Sequence, residues 1–160
     1  MKRFIGTKIV SAVPMNRQAY NDFRGWILPE NEDGADEGYL VEYLDGGKPN
    51  TDTHKGYVSW SPKEQFDNAY AADGNLTFGD AIYLLKQGKA VARAGWNGKN
   101  MYLIHIAGTT VQHSINAHYG DIADPVPVLD AIYMKTALGE LVPWLASQTD
   151  LLAEDYCIVE

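Results

Sequence analysis

Apolar and polar residues along this chain recur at two periods, near two and near 3.6, which mark out a run of short strands and short helices. Phe4 to Ala12 is predicted as a first strand. Asn16 is placed to cap a helix through Arg24, with Tyr20 and Phe23 three apart on one face and Gly25 as its stop. Glu30, Glu32, Asp33, Asp36 and Glu37 crowd around Asn31 and Gly34, the composition of a solvated loop. Gly38 to Tyr43 alternates as a strand, Asp45-Gly46-Gly47 signals a turn, and residues 48–56 make a polar hairpin loop before a return strand, Tyr57 to Trp60. Ser61-Pro62-Lys63-Glu64 then has the form of a helix start, with Ser61 as N-cap, predicted to run to about Tyr70.

The second half opens at Leu76. Thr77 is a cap and Asp80 sits at the capping-box position; Phe78, Ile82 and Leu85 follow at helical spacing, and Gly88 stops the helix. Lys89 to Arg93 and Met101 to Ala107 read as strands. Residues 108–130 show poor periodicity and carry Asp124-Pro125-Val126-Pro127, so they are expected to form a long excursion without an element of their own. Ile132–Thr136 and Leu141–Trp144 flank Leu138-Gly139-Glu140 as a hairpin. Ser147 is predicted to cap a short helix from Thr149 to about Glu154, and Asp155 to Val159 to form a closing strand.

Hairpins alternating with short capped helices define an α+β fold of small antiparallel sheets in two compact units, residues 1–72 and 73–160, divided within 71–75. The halves echo each other: each carries a Gly-Trp pair (Gly25-Trp26, Gly95-Trp96), a hairpin, a second tryptophan (Trp60, Trp144) and a serine-led helix start, in the same order at different spacings.

Composition narrows the function classes. The 160 residues are 46% hydrophobic and carry a formal charge of -8. That balance argues against duplex nucleic acid, which needs a basic face, but leaves room for a small anion held by a local group of donors. One cysteine, Cys157, precludes an internal disulfide and is expected to be buried and inert in its strand. No 7–15-residue apolar run follows Met1-Lys2-Arg3 and no 18-residue apolar stretch occurs, so the chain is expected to be soluble and cytosolic, without a membrane span.

Two segments concentrate ligand-binding chemistry. One is Arg93-Ala94-Gly95-Trp96-Asn97-Gly98-Lys99; the other is Val142-Pro143-Trp144-Leu145-Ala146-Ser147-Gln148-Thr149-Asp150. A tryptophan face stacks on a purine, amides and carboxylates read a base edge, and helix-start N–H groups hold phosphate. Each residue also has a plainer reading. Trp96 and Trp144 can be core plugs. Gly95 and Gly98 can make turns or admit a phosphate. Ser147 and Asp150 suit capping, while Gln148 and Thr149 remain to face a ribose or adenine edge. Arg93, Lys99 and Lys135 are either solvated charges or the local cations an acidic protein needs around a diphosphate. Phe78 and Met101 are core or ligand-facing. His113 and His118, five apart near His105, Asp121 and Asp124, match no metal motif, and no metal or cofactor is expected.

Residues 76–160 closely resemble the second type of the phage-encoded Thoeris anti-defence family. The resemblance rests on Thr77-Phe78-Gly79-Asp80-Ala81, on Arg93 through Leu103, on Met134-Lys135-Thr136-Ala137, and on Trp144 through Tyr156. The last position, commonly tryptophan in the family, is Tyr156 here. Residues 4–70 resemble a small module that recurs in phage proteins without an assigned activity, through Ile5-Gly6-Thr7-Lys8, Tyr20 to Trp26 and Gly56 to Lys63. The resemblance implies a non-catalytic sponge in the cytoplasm of an infected bacterium. Such proteins sequester a cyclic ADP-ribose isomer, some also bind cyclic di- or trinucleotides, and they assemble as homotetramers with pockets shared between chains. The alternatives are a phosphodiesterase using His105, Asp150 and Glu154, or a phage interaction module with both tryptophans in its core.

Overall fold

The computed structural model of the protein describes residues 1–3, 5–120 and 127–160; the readings that involve Phe4, Asp121, Asp124, Pro125 and Val126 lie outside them. The chain divides into two compact units, Met1–Ala71 and Ala72–Glu160. Both are α+β with antiparallel sheets, as the sequence pattern predicts.

The first unit runs β1 (Val10–Pro14), α1 (Arg17–Arg24), β2 (Gly38–Tyr43), β3 (Tyr57–Pro62) and α2 (Lys63–Ala69), with sheet order β1-β2-β3. The Asn16 side chain accepts the Ala19 N–H at 2.8 Å, and Gly25, at φ 66°, ends α1 in the left-handed conformation. Tyr20 from α1 packs with Leu40 and Val58, and Met15 and Trp60 close over them. On the other face, Tyr39 stacks on Phe66 at 4.2 Å and Phe66 on Tyr70 at 4.8 Å, fastening α2 to the sheet.

Two predicted boundaries move. The first strand lies at Val10–Pro14, later than expected, because its partner β2 ends at Tyr43 and the turn beyond it leaves residues 5–9 nothing to pair with. Ser61 does not cap α2: it stays in the ladder opposite Tyr39, the cap position is Pro62, and the Lys63 N–H is satisfied by the Glu37 carbonyl at 3.0 Å.

The second unit runs α3 (Phe78–Lys86), β4 (Ala90–Arg93), β5 (Tyr102–Ile106), α4 (Gly108–Tyr119), β6 (Ala131–Lys135), β7 (Leu141–Pro143), α5 (Gln148–Leu151) and β8 (Tyr156–Val159). Its sheet order is β7-β6-β5-β4-β8, antiparallel throughout. The Thr77–Asp80 capping box starts α3 as predicted. Ala81, Leu84 and Leu85 of α3 bury against Val91, Leu103 and Tyr156 of the sheet. Full burial of each such leucine stabilises the fold by about 1.5–3 kcal/mol.

The expected excursion contains a twelve-residue helix, α4. Its N-cap is Ala107, which has no side chain able to cap, and β-branched residues fill its first turn. The cap is remote: Asp130 accepts the Gly108 N–H at 2.9 Å. A Cβ on Gly108 would collide with the Val128 carbonyl, so only glycine admits this close approach. The closing helix is shorter than predicted, because Tyr156 donates its hydroxyl to the Asp150 carbonyl at 2.9 Å and the chain turns into β8. Cys157 is half-buried rather than buried. The echo between halves does not extend to topology, since Trp26 follows a helix and Trp96 a strand. Among the described residues no helix is long and apolar enough to cross a membrane.

Candidate functional site

The two motif segments meet, although β6 and β5 lie between β7 and β4 in the sheet. β4 delivers Arg93 and the Gly95-Trp96 turn; the β6–β7 hairpin delivers Trp144 and the Ser147 cap of α5. Asp150 ties them together. Its Oδ2 accepts the Ser147 hydroxyl at 2.6 Å and the Ser147 amide at 3.0 Å, completing the capping box. Its Oδ1 accepts the Arg93 guanidinium at 2.7 Å and the Trp96 indole N–H at 3.1 Å. Arg93 also pairs with Asp155 at 2.7 Å and donates to the Thr149 carbonyl at 3.3 Å; Asp155 in turn accepts the Gly95 N–H at 2.7 Å.

The charges follow from these contacts. Burial pushes the Asp150 carboxyl up, but hydrogen bonds from the Ser147 hydroxyl, the Trp96 indole, the Ser147 amide and Arg93 outweigh it and hold it down at about 2. The Arg93 guanidinium holds the Asp155 carboxyl below the usual carboxylate range, and Asp155 raises Arg93 in return. Burial, and after it the Asp150 charge, pushes the Tyr156 phenol up to about 12.

Around this lock stands an aromatic cluster. Trp96 meets Trp144 edge-on at 6.2 Å and Tyr156 at 6.5 Å, and Phe78 lies 6.3 Å from Trp144 and 6.0 Å from Tyr156. Tyr156 is fully buried; Phe78, Trp96 and Trp144 are half-buried and packed on the core.

The other predicted site residues differ in burial and bonding. Arg93 and Asp150 are internal: their side chains are 13% and 12% exposed and each satisfies the other. Gly98 and Met101 pack together, since a Cβ on Gly98 would run into the Met101 sulfur and lie 2.9 Å from the Ala137 methyl. Asn97, Lys99, Ser147, Gln148 and Thr149 are exposed. Lys135 donates to the Asn100 carbonyl at 3.0 Å, with its ammonium 5.8 Å from the Tyr102 ring. Sequence reasoning missed Asp155 and Tyr156 as organisers. One signal was available: Arg93 is the single arginine of residues 72–160.

The histidines are placed apart from this bonding network. His105 bonds Asp130 at 3.0 Å, whereas His113 and His118 stand exposed on α4. Among the described residues no three His, Cys, Asp or Glu side chains converge as a metal site would require.

The second unit is thus a small antiparallel α+β domain in which a network centred on Asp150 and Arg93 fixes a half-buried aromatic cluster. Residues 76–159 match the family of Tad2-like, Thoeris anti-defense 2-like domains. Over 84 residues the chain is 39% identical to the protein named Thoeris anti-defense 2 from Bacillus phage SP01, a match that covers 52% of this chain and 94% of that protein. The chain belongs to the Thoeris anti-defense 2-like family.

Proposed function

We propose that this protein is a non-catalytic sponge that captures a cyclic ADP-ribose-type signal, and in a wider reading cyclic di- or trinucleotides, and so blunts Thoeris defence in an infected cell. Family membership supports the coarser part, a phage activity against Thoeris. One observation supports the finer part: Asp150 fastens Arg93, Trp96 and the Ser147 cap into a single network that also holds two half-buried tryptophans, while Asn97, Lys99, Gln148 and Thr149 of the same segments are exposed. A preorganised aromatic wall lowers the ordering cost of binding a ring-shaped ligand. In this reading Trp144 stacks on the base with Phe78 behind it, Trp96 meets the base at its edge, and Gln148 and Thr149 reach a base edge or ribose. Lys99 and Lys135 face the diphosphate.

The same lock argues against the enzyme reading. A carboxylate holding four donors, with a pKa about 2, is a poor general base at neutral pH, which removes Asp150 from a hydrolytic constellation. An assembly is part of the proposal. Leu138, Leu141, Val142 and Leu145 are exposed apolar residues in and beside β7, an edge strand of the sheet. Apolar residues exposed at an unpaired strand edge favour burial against another copy, in line with the homotetramer of this reading.

Calorimetric titration with cyclic ADP-ribose isomers, with light scattering on the same sample, tests the reading. Saturable binding by a tetramer supports it. A monomer of 17.7 kDa that binds none of them contradicts it.

A further inference from the structure

The first unit holds a cavity outside the family domain. About 150 Å³ opens between β1, β2 and the loop before β3, lined by Ser11, Ala12, Val13, Leu40, Glu42 and His54. Ser11 stands opposite Glu42, and Val13 opposite Leu40, in the β1–β2 register, so these four share one face of the sheet. Leu40, only 4% exposed, makes an apolar floor.

Glu42 and His54 are held in place. Glu42 Oε1 accepts the amides of Lys55 and Gly56, each at 2.9 Å, so the carboxylate cannot swing away. Gly56 is required for that grip, because a Cβ there would collide with the Tyr43 carbonyl. The His54 Nδ1 lies 3.2 Å and 3.0 Å from the hydroxyls of Thr51 and Thr53, and its ring meets the edge of Phe23 at 5.6 Å. Among the described residues, Glu42 Oε2, His54 Nε2 and the Ser11 hydroxyl carry no hydrogen bond within the protein.

In the tautomer that donates from Nδ1 to the threonines, Nε2 is an acceptor. The cavity then offers three acceptors, one of them a carboxylate oxygen, above an apolar floor. A primary ammonium has three donors and no acceptor. The geometry points to a binding site for the primary ammonium end of an alkylamine, with its methylene stem on Leu40 and Val13. The stem and charge are those of a free polyamine or of a lysine side chain.

The test uses the full-length protein and n-butylammonium chloride, followed by amide NMR shifts and calorimetry, with n-butanol as the uncharged control. The site predicts saturable shifts centred on Ser11, Leu40, Glu42 and His54, with a dissociation constant on the order of millimolar and no response to butanol. Glu42→Gln, which keeps an oxygen for the Lys55 and Gly56 amides, should weaken binding about tenfold or more at an unchanged melting temperature. A melting temperature that falls transfers the decision to the wild-type shift map alone. Spermidine and an acetyl-lysine-amide peptide with a free side-chain amine then separate the sources, the tighter binder identifying the physiological ligand. Absence of saturable binding, shifts scattered over the whole protein, or equal affinity for butanol overturns the proposal.

Discussion

Trp96 donates its indole N–H to Asp150, 54 residues further along the chain, at 3.1 Å. The bond makes two loops one object. It also splits the roles of the two tryptophans, because Trp96 serves the lock as well as the wall, while Trp144 serves the wall and the core edge.

Trp96→Ala should therefore lower stability and affinity together. Losing a half-buried indole and its bond to a charged acceptor costs about 3 kcal/mol, towards the lower end of tryptophan truncations. Trp144→Ala should lose less stability but weaken ligand binding by about ten- to hundredfold, the loss of one base stack at roughly 1–3 kcal/mol. Melting curves and calorimetry on both variants check this. Normal binding by a strongly destabilised Trp144→Ala protein would make that ring a core plug only.

The cations should divide in the same way. Arg93→Gln leaves Asp150 and Asp155 without their counter-charge and should destabilise the free protein by about 3 kcal/mol, as breaking a buried ion pair does. Lys99→Gln should leave stability within about 0.5 kcal/mol, as surface substitutions do, and Lys135→Gln, which loses its bond to the Asn100 carbonyl, should cost about 0.5–1.5 kcal/mol. They should weaken ligand binding at least about threefold and flatten its salt dependence. If only Arg93→Gln affects binding, the phosphate contact has been misplaced.

Acid should loosen the network. The Asp150 carboxyl lies at about 2 in the folded chain, below its ordinary 3.8, so the folded state binds its proton less readily than the unfolded state. A group depressed in this way contributes stability that is fully present above the unfolded value and is lost as pH falls towards the folded one. About 2 kcal/mol should disappear between roughly pH 5 and pH 2. Urea midpoints over that range measure it, and Asp150→Asn, already destabilised, should show a shallower fall.

Gly98→Ala tests what that glycine is for. Its φ is not positive, so it is kept for space, and the space is filled by Met101 and Ala137 rather than left open. The variant should lose about 1–3 kcal/mol of stability, the cost of overpacking, and Met101→Ala in the same chain should restore part of it. Unchanged stability with abolished binding would assign the space to a phosphate.

Much of the fold was legible because its signals are local. The caps at Asn16, Thr77 and Ser147 each bond a group within three residues, and β2 and the β6–β7 hairpin follow from alternation and a turn glycine. α4 was not legible, since its cap comes from Asp130, 22 residues away, and its first turn looks like strand. Ser61 misled because the signal for a cap is equally satisfied by a strand residue whose following helix borrows a distant carbonyl. The segments carrying the network could be picked out, but not the division of labour inside them. Nothing near Arg93 in the chain announces Asp155, 62 residues on, as the group that takes its charge.

The central claim, capture without chemistry, is tested most directly by mass balance. Protein is incubated with a cyclic ADP-ribose isomer and filtered, and the retained fraction is heat-denatured and assayed by mass spectrometry. Capture without chemistry leaves a filtrate depleted of ligand and, after heating, returns the intact cyclic nucleotide in the amount that was lost. Recovery of a linear or hydrolysed product, or a filtrate that keeps all of its ligand, would contradict it.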